Sequence, residues 1–128
     1  MAINKSIRIL VANHPKLMRE VILSTFADQP DIEIVGEVSN EAEIQDRVNQ
    51  TLPDLLVVAL DESGKRPPIC HTVLNAHPEV RIIAVSSAQN RSICYWASLQ
   101  IQSKNIEPSE EGILSAARNM AAGVGRVS

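Results

Sequence analysis

The chain has 128 residues, 45% of them hydrophobic and 21% charged, with a net charge of −3. That balance describes one globular domain rather than a disordered or multidomain chain. It argues against an electrostatic grip on nucleic acid by this domain alone, and no apolar run reaches the ~18 residues of a membrane span. The opening residues carry neither the apolar stretch nor the cleavage site of a secretory signal, so a cytoplasmic location is expected. Phe26, Tyr95 and Trp96 are the only aromatics, which makes the core aliphatic. Cys70 and Cys94 match no metal or redox spacing and are expected to be buried free thiols.

Aliphatic runs at residues 7–11, 32–35, 55–60 and 82–85 are too short for helices. Being apolar on both faces, they suit strands of a parallel sheet covered from both sides. Pro15 opens a helix whose stripe is Met18, Ile22 and Phe26, and the turn Gln29-Pro30-Asp31 closes it. Ser39 is the expected N-cap of a second helix, with Ile44 and Val48 on its inner face, stopping before Pro53. Ile69 and Val73 mark a third helix, closed by His77-Pro78. The last third is less regular: a short helix is expected over residues 90–97 and a weak fifth strand over 99–102. Ser109 caps a final helix through Ile113, Leu114, Ala117 and Met120, weakened by Gly112 and ended by Gly123.

This alternation implies an α/β fold, a flavodoxin-like doubly wound five-stranded parallel sheet in three layers. Residues 1–122 form the domain, and residues 123–128 a tail or the start of a linker. Ligands of such sheets bind beyond the carboxyl ends of the strands, here near Ala12-Asn13-His14, residues 59–64 and Ser86-Ser87. No glycine-rich loop stands there, which argues against nucleotide binding.

The stretches Ile9-Leu-Val-Ala-Asn-His-Pro15, Arg19-Glu20, Pro30-Asp-Ile-Glu-Ile-Val-Gly-Glu37 and Pro53-Asp-Leu-Leu-Val-Val-Ala-Leu60 resemble a response-regulator receiver domain. The third of these, with His77-Pro78, resembles the NarL/FixJ-type subgroup that precedes helix-turn-helix domains. The resemblance is specific through Val85 and loose over residues 87–111. It implies a phosphoryl-accepting aspartate at the end of the third strand and a divalent ion held by two acids after the first. Here the acceptor position is Ala59 and the acidic pair reads Ala12-Asn13. Ser86 keeps the strand-four hydroxyl, and Lys104 is the candidate for the lysine after strand five. The coupling aromatic of that strand has no counterpart among Gln100, Ile101, Gln102 and Ser103.

Neither Asp61 and Glu62, in a solvated loop, nor His14, His71 and His77, without partner ligands, make a reactive constellation, so no enzyme activity, metal or cofactor is expected. The expected function is that of a degenerate receiver acting in signalling or transcriptional control through a protein partner or as a homodimer. Tyr95 and Trp96 are its candidate contact surface. DNA would be a partner only through a domain beyond residue 128. The alternative is a small-ligand sensor whose pocket is lined by Ala12, Asn13, Ala59 and Ser86.

Overall fold

The computed structural model describes residues 6–13, 16–61, 65–86, 91–98 and 101–122. In chain order they form β1 (Ile7–Ala12), α1 (Lys16–Ala27), β2 (Ile32–Glu37), a 3-10 turn (Glu41–Glu43), α2 (Ile44–Thr51) and β3 (Leu55–Ala59). Then follow α3 (Pro68–Ala76), β4 (Arg81–Ser86), β5 (Arg91–Ala97), β6 (Ile101–Ile106) and α4 (Glu110–Ala122). The strand order is β2-β1-β3-β4-β5-β6. The first four strands are parallel, and β5 and β6 are antiparallel to their neighbours.

The four aliphatic runs become β1 to β4, and burial on both faces explains their composition. On one face Leu10, Leu56, Val58, Ile82 and Ala84 pack under Ile44 and Val48 of α2 and Val73 and Leu74 of α3. On the other, Ile9, Val11, Val57 and Ile83 pack under Ile22 and Phe26 of α1 and Ile113 and Ala117 of α4. The result is the expected three-layer α/β architecture. Met18 is only partly buried on the α1 stripe. The turn at Gln29 to Asp31 is closed by Gln29 N–H donating to Phe26 O and Ile32 N–H to Gln29 O.

Several expectations need correction. Residues 91–97 form a strand, not a short helix, and the sheet has six strands rather than five parallel ones. Ser92-Ile-Cys-Tyr-Trp96 is a run of strand-favouring side chains. Only residues 87–90 separate it from β4, and a parallel return needs a dozen or more residues, so the chain must fold back antiparallel. The next strand is Ile101–Ile106, later than the expected 99–102, whose first two positions lie outside the described residues. Asn40, not Ser39, caps the 3-10 turn before α2: its side chain accepts from Ala42 N–H at 3.0 Å. Leu52, left-handed at φ 48°, ends α2 ahead of Pro53. Ser109 does cap α4, its Oγ accepting from Gly112 N–H at 3.0 Å. Pro15, Gly123 and the tail at 123–128 lie outside the described residues.

Gly112 has a packing reason that its helix position hides. A Cβ there would run into the main-chain carbonyl of Glu107, which folds back against the first turn of α4. Two turns further along this helix, Arg118 reaches the α1–β2 turn. Its Nε donates to Asp31 Oδ2 at 2.8 Å and its Nη2 to Asp31 Oδ1 at 3.0 Å and Gln29 Oε1 at 2.7 Å. No described helix is long and apolar enough to cross a membrane.

Candidate functional site

Parallel strands ending side by side leave a row of carboxyl ends, and in this order the reversal falls between β1 and β3. The register sets Ala12 beside Val58 and Ala59 beside Val85. Val38 N–H donates to Val11 O at 2.8 Å and Leu60 N–H to Val85 O at 2.9 Å, which carries the pairing to the rim. Ala12, Asn13, Ala59 and Ser86 are therefore brought together at one end of the sheet. Asn13 is fully buried, and Ala12 and Ser86 are 4% and 5% exposed.

Asn13 is turned inward. Its Nδ2 donates to the Val58 carbonyl at 2.9 Å, tying the end of β1 to β3, while its Oδ1 is buried with no hydrogen-bond partner among the described residues. Arg19, on the first turns of α1, closes the side toward β2. Its Nη1 donates to Asn13 O at 3.2 Å and its Nε to Glu37 Oε1 at 3.2 Å. That arginine is only 12% exposed and brings its positive charge to the Asn13 main-chain carbonyl. The sequence offered no sign of this clamp beyond the Arg19-Glu20 pair. His14, Glu62, Gly64 and Ser87 lie outside the described residues.

Magnesium needs several oxygen ligands, carboxylates foremost among them. The cluster offers two methyl side chains, one hydroxyl and one amide oxygen, and no carboxylate. This donor set does not fit the ion. Among the described residues no group of three or more His, Cys, Asp or Glu side chains could hold a metal.

Lys104 is not brought to the cluster. It stands opposite Cys94 on β6, and Cys94 stands opposite Ile83. Two strand spacings and three residues of rise put its backbone about 14 Å from that of Ser86. The insertion of β5 between β4 and β6 is the cause. Tyr95 and Trp96 are separated too, because neighbours on a strand point to opposite faces. Tyr95, 4% exposed, belongs to the α2–α3 side of the core, and Trp96 is half-buried on the α4 side. Trp96 lines a groove of about 980 Å3 with Lys104, Ile106, Ala116 and Met120. A second, more polar groove of about 440 Å3 lies over Tyr95 and Ser103. Neither touches Ala12, Asn13, Ala59 or Ser86.

Cys70 and Cys94 are buried free thiols. Burial pushes the Cys70 thiol up to about 12 and raises that of Cys94 as well. His77 Nε2 lies 2.8 Å from Asn49 Oδ1 and links α3 to α2.

The fold is that of response-regulator receiver domains. The receiver domain of the response regulator NarL from Mycobacterium tuberculosis superposes with a TM-score of 0.65 at 15% identity, over 93% of this chain and 98% of that one. The response regulator RcsB of Salmonella typhimurium gives 0.57 at 13% identity, over 64% of this chain and 43% of its own. The receiver domain of Thermotoga maritima CheB gives 0.54 at 24% identity, over 65% and 62%. In sequence, 55 residues are 34% identical to a protein-glutamate methylesterase/protein-glutamine glutaminase of Methanospirillum hungatei JF-1. That stretch is 43% of this chain and only 16% of the methylesterase. No family model matches the chain.

Proposed function

We propose that this chain is a receiver domain that works without phosphoryl transfer, as a protein-interaction module in signal transduction or transcriptional control. The observation that carries the reading is the strand-end cluster: a methyl group at Ala59 and an inward-bonded amide at Asn13 stand where the resemblance implies carboxylates. Phosphoryl transfer of the receiver kind requires an acceptor carboxylate and further carboxylates to hold a neutralising cation, and this cluster has no carboxylate. The receiver architecture remains as a scaffold with faces to offer. Residues 1–122 constitute that module, and DNA contact would belong to a further domain. The test is intact mass after incubation with acetyl phosphate and Mg2+. An unchanged mass is expected, and a stable phosphoryl adduct would refute the reading.

The small-ligand reading has one observation in its favour, the buried Asn13 Oδ1, unpartnered among the described residues, which asks for a donor. Against it stands the location of both grooves at the other edge of the sheet. A donor-bearing metabolite that raises the melting temperature of the wild type but not of Asn13→Ala would establish it.

A further inference from the structure

The two edges of the sheet are built differently. β2 is broken in register between Ile9 and Leu10 of its partner strand and carries exposed Glu33 and Glu37, the usual devices that keep an edge from pairing. β6 has only one of them, the exposed charge of Lys104. Its register with β5 is unbroken from Ile106 to Ile101, and it holds neither proline nor glycine and a single charge, Lys104. Among the described residues nothing pairs with its outer side. An edge so lightly protected offers main-chain N–H and C=O groups to one more strand.

A second feature lies beside that edge. The 440 Å3 groove is lined by Arg66 and Arg91 together with Tyr95, Ser103 and Asn105 and the main chain at Lys104, whose side chain is on the other face, and among the described residues by no acidic one. Both arginines are exposed, and neither is in an ion pair with a described residue. In a chain of net charge −3 this concentrates positive charge where acidic partners are otherwise repelled.

We propose that β6 takes an extended acidic segment of a partner protein as a seventh strand, with its carboxylates seated against Arg66 and Arg91. Main-chain bonds along β6 supply affinity, and the cations select acidic side chains on the groove side of the added strand. A second copy of β6 is the poorer occupant, because it would bring another lysine and no carboxylate. This assignment rests on the protein-interaction reading above, and it fails separately, since the mass measurement there does not involve β6.

The experiment is fluorescence anisotropy of a labelled, alternating glutamate–valine peptide against the full chain, paired with amide exchange of residues 101–106. Saturable, salt-sensitive binding is expected, about tenfold weaker for Arg66→Ala/Arg91→Ala. Both residues are exposed, so the double variant keeps its fold. Alternate amides of β6 should gain protection when the peptide is added, and an alternating lysine–valine peptide should not bind. Binding without new β6 protection, or binding indifferent to the double variant, would overturn the proposal, as would no binding at low salt. Light scattering that shows a dimer lost in Ser103→Pro would assign the edge to a second copy instead.

Discussion

The placement of Tyr95 and Trp96 on opposite faces of β5 gives an unequal pair of truncations. Burying an aromatic side chain removes about 150–250 Å2 from water, worth roughly 4–6 kcal/mol at about 25 cal/mol per Å2. Tyr95 is 4% exposed, within the layer formed by α2 and α3, so its ring has that full value. Allowing for the alanine methyl and partial collapse, Tyr95→Ala should cost about 3–5 kcal/mol. Trp96 is half-buried at a groove wall, and Trp96→Ala should cost about 1 kcal/mol. Against a typical domain stability of about 5–15 kcal/mol, the first variant is marginal and the second robust. Urea unfolding followed by far-ultraviolet circular dichroism measures both, and an unchanged slope shows that only stability moved. Equal losses, or a larger loss for Trp96→Ala, would refute the strand assignment of residues 91–97.

Other variants probe the helices and the thiols. Gly112→Ala should destabilise the fold even though helix propensity alone favours alanine by about 1 kcal/mol, because the added Cβ meets the Glu107 carbonyl; a raised urea midpoint would contradict this. Ser109→Ala should lose about 0.5–2 kcal/mol with the α4 cap, and Ser109→Asp should recover most of it in the same assay. The Arg118 guanidinium holds the Asp31 carboxyl below its ordinary range, so the stability this pair adds is present above that range and lost as pH falls through the lowered value. Thermal midpoints against pH should therefore show a shallower acid limb for Asp31→Asn than for the wild type, and superimposable limbs would refute the link. Cys70 and Cys94 should resist a thiol reagent at neutral pH until urea unfolds the chain, and prompt labelling of Cys70 would contradict its burial.

Much of the fold was legible because its signals are local. A run such as Leu55-Leu-Val-Val is short, branched and apolar throughout, and only a strand covered on both sides suits it. The turn at Pro30-Asp31 and the stop before Pro53 are set by backbone chemistry that a few residues reveal. Residues 91–106 were misread although Ser92 to Trp96 favours a strand, because a run this short has no periodicity that separates strand from helix. The short connections at 87–90 and 98–100, which force antiparallel returns, were the overlooked signal. The same error put Lys104 near the strand ends, when β5 holds it two strands away. At the site, the identities of Ala12, Asn13 and Ala59 could be read directly. The inward turn of the Asn13 amide and the clamp of Arg19 on Glu37 could not, because they depend on contacts across the sheet. Arg118 and Asp31 are likewise 87 positions apart, and no local pattern joins them.

On the function proposed above, the receiver scaffold persists here without the carboxylates of a cation site. Calorimetric titration of the wild-type chain with Mg2+ tests it most directly, with Ala12→Asp/Asn13→Asp/Ala59→Asp as the comparison. The wild type should give no heat beyond dilution, while the triple variant gains three carboxylates at the rim and a saturable isotherm. A saturable Mg2+ isotherm from the wild type itself would contradict the claim.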